Sequence, residues 1–294
     1  MRLEAVRGRL PAVLRLVHPF PSLLDGAVVA LVALVAGGGM ATAAILGSAM
    51  AALQFSIGAV NDLADASADA GRKPGKPIPA GEIGRPAAVA TAAVAGTAGL
   101  VLAFLVGGGW LLLIAALGLA IGLAYDLWAK GTTLSWLPFA VGIPILPVFG
   151  WYGATGELPG LFLVLVPAAA NAGTALAVAN AIVDAERDVK AGRASVATAL
   201  GLDRAAALVV ILHGVVTLLA VASAAAVGAP VGWVVVVLLA AVVPLGGAAL
   251  GVLAAARRGP ALRELAWEVQ AVGTGLLAVA WLSALSASVG PASA

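Results

Sequence analysis

The sequence predicts an all-α membrane protein with nine transmembrane helices and a cytoplasmic N-terminus. Of its 294 residues, 62% are hydrophobic and only 10% are charged, whereas a soluble domain carries about 25% charged residues. Because so few polar groups cannot cover a protein surface in water, lipid is the solvent that this chain requires. The absence of cysteine excludes disulfide bonds and cysteine-ligated metals.

Nine apolar stretches each come close to the roughly 20 residues that a helix needs to cross a bilayer. Turns rich in glycine or containing proline separate several of them. We expect all nine to form one helical domain that covers residues 1–294. The stretches are 20–37, 40–60, 86–106, 109–128, 134–152, 159–182, 205–227, 231–254 and 266–288.

The lysine and arginine residues segregate to one side of the predicted bundle. With the N-terminus in the cytoplasm, nine crossings place all 16 of them on that side. Cytoplasmic segments carry an excess of these residues, so the segregation supports the number of crossings. We expect an integral protein of the plasma (inner) membrane without a cleavable signal peptide. Its cytoplasmic segments would be 1–19, 61–85, 129–133, 183–204 and 255–265.

A first cluster of aspartates follows the second apolar stretch. If that helix continues past residue 60, Asp65 and Asp69 share one face at i and i+4, and Asp62 lies at i−3. Three like charges on one stripe repel each other, and a divalent cation between them relieves the repulsion. Carboxylate oxygens are ligands that Mg²⁺ prefers, often together with substrate phosphates.

A second cluster repeats this spacing near the end of the sixth stretch, where Asn180, Asp184 and Asp188 match Asn61, Asp65 and Asp69. Two carboxylate stripes on the same side of the membrane can hold one diphosphate through shared Mg²⁺ ions. Basic side chains nearby can bind the remaining phosphate oxygens. The candidate substrate-binding residues are Asn61, Arg72, Lys73, Lys76, Lys130, Asn180 and Arg193.

These residues carry a resemblance to a known family. The stretch 61–81, NDLADASADAGRKPGKPIPAG, resembles the first aspartate-rich motif of the UbiA-type intramembrane prenyltransferase superfamily. The stretch 184–192, DAERDVKAG, is similar to the second motif, and Tyr125 with Lys130 resembles a Tyr…Lys element of the family. The resemblance extends over essentially the whole chain.

The resemblance implies nine helices around a central cavity that opens laterally to lipid. It also implies Mg²⁺-dependent transfer of a prenyl group from a prenyl diphosphate to a lipophilic or aromatic acceptor, with no role for nucleic acid. Asp65, Asp69, Asp184 and Asp188 would then be catalytic. Together with Asp62 they would bind the metal.

The sequence pattern also allows two other functions. A terpene cyclase on the same scaffold would need a closed, aromatic-lined pocket without a polar acceptor site. A transporter is less consistent with the charge pattern, because transporters place coupling residues near the membrane midplane.

Four polar residues outside the motifs have no assigned chemistry. Asp25 lies within the first span, where a carboxylate is costly; it either faces the acceptor, lies near the membrane interface or pairs with a helix neighbour. His18 is expected at the membrane interface, with an acceptor role possible. His213 is expected to hydrogen-bond a neighbouring helix, and the role of Asp126 is open.

Overall fold

The computed structural model describes residues 11–71, 75–257 and 259–289, and the described part is helical apart from turns and short connections. Residues 11–16 form a short helical segment ahead of the first labelled helix. In chain order the others are α1 (Pro19–Val35), α2 (Met40–Asp69), α3 (Arg85–Ala124), α4 (Leu137–Gly142), α5 (Ile145–Thr155), α6 (Phe162–Lys190), α7 (Val196–Leu200), α8 (Leu202–Ala226), α9 (Val231–Arg257) and α10 (Pro260–Val289).

Seven helical segments of the described chain are long and apolar enough to cross a membrane, and the 17-residue α1 is a shorter apolar helix. One of the seven, Arg85–Ala129, has 45 residues. At 1.5 Å per residue it would extend about 68 Å, more than twice the thickness of a hydrocarbon core. Length alone therefore shows that this segment cannot be one straight crossing.

The long segment bends at its glycines. Gly107 and Gly108 have non-helical backbone angles, and the φ of +62° at Gly108 is one that side-chain-bearing residues rarely adopt. The two halves lie side by side beyond this turn, since a Cβ on Gly96 would come within 3.6 Å of Leu119. The predicted stretches 86–106 and 109–128 are the two halves of this hairpin.

The predicted stretch 134–152 also contains a break, because α4 and α5 meet at Pro144. Proline has no N–H to donate and interrupts the helical hydrogen-bond ladder. In contrast, α2 and α6 run past their predicted ends to Asp69 and Lys190. Each helix therefore carries its aspartates on regular helical turns, which the i, i+4 prediction required.

Glycines let α1 and α2 approach closely. A Cβ on Gly26 would lie only 2.7 Å from the backbone oxygen of Gly47, and a Cβ on Gly58 only 2.9 Å from that of Val17. Small residues at helix contacts are the usual means of close packing in membranes. The contact brings Asp25 of α1 within hydrogen-bond distance of Gln54 of α2.

Candidate active site

A polar chamber lies where α2 and α6 end. Its volume is about 510 Å³. Four of the predicted aspartates line it, two from each helix, and so do three predicted substrate-binding residues. The structure therefore brings the two sequence motifs to one chamber. These seven residues are Asp65, Asp69, Asp184, Asp188, Lys130, Asn180 and Arg193.

Cations already contact two of these carboxylates. The Lys130 ammonium donates to Asp65 Oδ2 at 2.5 Å, and both side chains are largely withdrawn from solvent. Arg187 Nη1 donates to Asp184 Oδ1 at 2.6 Å across one helical turn. The chamber thus holds carboxylates and cations side by side, an arrangement suited to a ligand that is anionic and metal-bound.

A π-helical turn, Tyr125–Ala129, positions the chamber's central lysine. The Lys130 N–H donates to the Tyr125 carbonyl oxygen at 2.9 Å, which is the i→i+5 bond of a π turn. In a regular α-helix, residues five apart point to different sides. The wider turn allows Tyr125 and Lys130 to line the same chamber, and such turns are frequent at functional sites.

Two loops meet at the wall of the chamber. Gly131 has a φ of +77°, and a Cβ there would lie 3.4 Å from Arg193 Cδ. The stem of Arg193 therefore packs against the loop that follows Lys130. The loop that contains Arg193 ends at Ser195, which caps the start of α7. In this capping box the Ser195 hydroxyl accepts a hydrogen bond from the Thr198 backbone N–H at 3.3 Å. Both loops are fixed by local contacts.

An apolar cavity of about 370 Å³ adjoins the polar chamber. Four residues line both spaces, which are therefore direct neighbours. Its wall combines aliphatic side chains of α2, α3, α4 and α5 and the aromatic rings of Tyr125, Phe139 and Trp267 with polar side chains from several helices. The Tyr125 and Phe139 rings meet edge to face at 5.1 Å. The four shared residues are Tyr125, Lys130, Asn180 and Asp184.

A smaller apolar space of about 90 Å³ continues the cavity toward α8 and α10. It shares Asp25, Ile143 and Leu146 with the larger cavity. The sequence of spaces is a polar chamber, then a largely apolar cavity, then a narrow apolar extension. This order fits an amphiphile with one strongly anionic end.

Asp62 occupies a different place from the other aspartates. It is only 2% exposed, it lines neither the chamber nor the cavity, and its Oδ1 accepts from Lys76 Nζ and His18 Nε2. His18 is the only non-glycine of the described residues with positive φ, at +49°. The structure thus gives Asp62 a buried ion pair, while its predicted metal role stays a prediction.

Other predicted residues lie in the apolar cavity or outside the described residues. Asn61 and Lys76 line the cavity and not the chamber, because Asn61 lies two turns before Asp69 on α2. Arg72 and Lys73 fall in the stretch 72–74, outside the described residues. Their predicted contacts with a diphosphate therefore remain predictions.

Two carboxylate–amide pairs also face the cavity. Gln54 Nε2 donates to Asp25 Oδ2 at 2.7 Å, and Asn61 Nδ2 donates to Asp126 Oδ1 at 2.6 Å. Asp25 therefore has a partner on a neighbouring helix and also lines the cavity, while its predicted contact with an acceptor stays a prediction. Sequence analysis missed Gln54, because a single amide within an apolar stretch carries no signal.

His213 meets the prediction made for it. It is 1% exposed, and its Nε2 lies 3.2 Å from Gln270 Oε1 on α10. Neither the chamber nor the cavity includes it.

The donor set of the chamber is suited to Mg²⁺ in combination with a phosphate ligand. Within the described residues, no three acidic or histidine side chains converge closely enough to hold a metal ion alone. Four carboxylates from two helices do line one space. Mg²⁺ keeps several waters and typically takes one or two carboxylates plus substrate phosphates, so a diphosphate would supply the missing oxygens.

Comparisons with solved structures match this architecture over nearly the whole chain. A structure of digeranylgeranylglyceryl phosphate synthase gives a TM-score of 0.70 at 14% identity, covering 96% of this chain and 99% of that chain. A UbiA homologue from Aeropyrum pernix K1 gives a TM-score of 0.67 at 20% identity, and the match covers 88% of this chain and 96% of that chain. A UbiA homologue from Archaeoglobus fulgidus bound to DMAPP and Mg²⁺ gives a TM-score of 0.59 at 17% identity, and the match covers 90% of this chain and 98% of that chain.

At these identities the solved structures establish the fold alone. A search of curated protein sequences finds no match. The sequence model of the UbiA prenyltransferase family matches residues 26–263, well over half of the chain. With the helical fold and the two aspartate motifs at one chamber, the match shows that this chain belongs to the UbiA prenyltransferase family.

Proposed function

We propose that the protein transfers a prenyl group from a prenyl diphosphate to an acceptor inside the membrane, with Mg²⁺ as cofactor. The observation that carries the proposal is that a polar, aspartate-lined chamber and a largely apolar cavity lie side by side and share four lining residues. One ligand with a diphosphate head and a hydrocarbon tail matches both spaces. The solved relative from Archaeoglobus fulgidus is bound to such a ligand, DMAPP, together with Mg²⁺.

The diphosphate head would lie in the polar chamber. Asp65, Asp69, Asp184 and Asp188 would hold it through Mg²⁺, which supplies positive charge to the phosphate oxygens as the leaving group departs. Lys130 and Arg193 line the same chamber and would donate directly to phosphate oxygens. Substrate binding would then exchange the Lys130–Asp65 ion pair for contacts of Lys130 with phosphate.

The prenyl chain would lie in the apolar cavity, with its first carbon at the shared boundary. The C1–O bond breaks there and its electron pair leaves with the diphosphate, which produces an allylic cation. The Tyr125 and Phe139 rings line this part of the cavity and stabilise positive charge through their faces. An electron pair of the acceptor then forms the new bond to C1, and the acceptor loses one proton.

We further propose that the chain forms one domain and crosses the membrane nine times, with its N-terminus in the cytoplasm of the inner membrane. The hairpin in Arg85–Ala129 would cross twice, so the seven long segments would provide eight crossings. The short helix α1 would provide the ninth. Residues 1–19, 61–85 and 183–204 would be cytoplasmic. The polar chamber would then open toward the cytoplasm, the compartment where prenyl diphosphates dissolve.

Polar groups in the apolar cavity support transfer over cyclisation. A cyclase needs a cavity that presents only hydrocarbon and aromatic rings to the cation. Here Asp25, Gln54, Asn61 and Asp126 also line the cavity, and these side chains can bind a polar acceptor.

The test is product analysis with purified protein, Mg²⁺, prenyl diphosphates of several chain lengths, and a membrane lipid extract. We expect diphosphate release coupled to a prenylated lipid, and loss of both with Asp65→Asn or Asp184→Asn. Asp203→Asn is the matched control, because this exposed aspartate at the start of α8 lines neither space. A cyclic hydrocarbon or alcohol formed without the extract would contradict the proposal.

A further inference from the structure

The apolar cavity contains two similar polar pairs on one face of α2. Gln54 and Asn61 are seven residues apart, so they point in nearly the same direction and lie about 10 Å apart along the helix. Each donates its amide N–H to a carboxylate of another helical segment: Gln54 to Asp25 of α1, and Asn61 to Asp126 of the π turn. Both pairs line the same cavity.

Each pair leaves one carboxylate oxygen for a ligand. Asp126 is only 7% exposed, and its Oδ2 has no hydrogen-bond partner among the described residues. Asp25 makes its hydrogen bond through Oδ2, and no described residue donates to its Oδ1. A buried carboxyl oxygen without a hydrogen-bond partner, such as Asp126 Oδ2, is unfavourable, and a carboxyl group that lines a cavity can bind a ligand hydroxyl. A ligand with donors would satisfy both atoms.

We propose that these two pairs form the acceptor subsite, and that the acceptor is an uncharged molecule with a hydroxyl group toward each end. This inference rests on the proposed prenyl transfer and names the substrate class of the same site. The hydroxyl near Asp126 lies beside Tyr125 at the boundary with the polar chamber, where the first carbon of the donor would be. The hydroxyl near Asp25 anchors the far end deeper in the bundle.

The same geometry disfavours acidic acceptors. A carboxylate at the end of the acceptor that meets Asp25 would place a second acidic group beside it, where like charges repel. Among the described residues, Asp25 forms no ion pair with a lysine, arginine or histidine that could offset this repulsion. The subsite is therefore selective for phenols or alcohols over aromatic acids.

The alternative is that the pairs only hold helices together, as polar side chains do in many membrane proteins. Binding of matched rigid probes separates the two roles. We would use 4,4′-dihydroxybiphenyl, its dimethyl ether, and 4′-hydroxybiphenyl-4-carboxylate, which share one rigid biphenyl core and differ only in their end groups. Equilibrium dialysis with the purified full-length protein gives a Kd for each probe without any catalysis.

We expect the diol to bind at least about tenfold more tightly than either the ether or the acid. Asp25→Asn and Asp126→Asn should each reduce the preference for the diol over the acid by about tenfold, because each removes one negative charge from the subsite. Glu157→Gln is the matched control, since Glu157 is exposed and lines neither space. Thermal unfolding of each variant, compared with that of the wild type, reports whether it is folded.

Comparable Kd values for the diol and the ether, or an unchanged preference in both aspartate variants, would overturn the inference while leaving prenyl transfer intact. Tighter binding of the acid than of the diol would also overturn the inference and leave prenyl transfer intact. Absence of diphosphate release from every donor, with the diol preference retained, would instead refute the proposed transfer and with it the role of the pairs as an acceptor subsite.

Discussion

The buried ion pair of Asp62 predicts a large loss of stability when its cation is removed. The Asp62 side chain is 1% exposed and that of Lys76 is 19% exposed. Removing one partner of a buried pair costs about 3–5 kcal/mol, because the other charge is left without compensation. His18 Nε2 still lies 2.7 Å from Asp62 Oδ1, so we expect Lys76→Met to cost about 3 kcal/mol, at the lower end of that range.

In a chain of 294 residues, about 3 kcal/mol corresponds to a decrease of roughly 5 °C in Tm. Thermal unfolding of the purified protein in detergent, followed by intrinsic fluorescence, measures this shift. The double variant Lys76→Met/Asp62→Asn should be more stable than Lys76→Met alone, since it buries no unpaired carboxylate. A Tm for Lys76→Met within about 1 °C of the wild type, or purely additive effects in the double variant, would refute this assignment of Asp62.

Three further predictions concern the chamber and the helix packing. Lys130→Met should reduce diphosphate release by about 100-fold, as expected for the loss of a donor that stabilises developing negative charge. Gly26→Ala should lower the free energy of unfolding by about 1–3 kcal/mol, because its Cβ would lie 2.7 Å from the Gly47 oxygen. Gly39→Ala, which meets no atom within 4 Å, should leave Tm nearly unchanged. Removal of divalent cations with EDTA should abolish diphosphate release, and added Mg²⁺ should restore it.

Each of these predictions has a result that contradicts it. Undiminished diphosphate release by Lys130→Met would show that the lysine serves only its ion pair with Asp65. Equal Tm changes for Gly26→Ala and Gly39→Ala would mean that α1 and α2 are not closely packed at Gly26. Diphosphate release that persists in EDTA would exclude a divalent cation from the reaction.

The apolar stretches and the aspartate spacing predicted much of the architecture. Residues at i and i+4 lie on one helix face. The placement of Asp65 beside Asp69 and of Asp184 beside Asp188 therefore required only that α2 and α6 remain helical past the ends of their apolar stretches. The meeting of the two helices at one chamber followed from the resemblance and from the charge segregation. Hydropathy also located the halves of the α3 hairpin, because the Gly107–Gly109 run divides them.

Three features depended on tertiary contacts that spacing does not encode. The π turn at Tyr125 reorients Lys130, and a pattern with the α-helical period cannot reveal it. Asp62 has the same residue type and nearly the same position as Asp65, yet Lys76 and His18 draw it into an ion pair. Gln54 was missed because one amide in an apolar stretch carries no signal until its partner Asp25 is known.

The proposal that both aspartate clusters hold one diphosphate is tested most directly by the binding of a non-reactive geranyl thiolodiphosphate, measured by titration calorimetry with and without Mg²⁺. We predict Mg²⁺-dependent binding to the wild type, weakened by at least about tenfold in Asp65→Asn and in Asp184→Asn. The two changes should be strongly non-additive when combined, since they act on one ligand. Additive effects, or unaltered binding in either single variant, would contradict a shared site formed by α2 and α6.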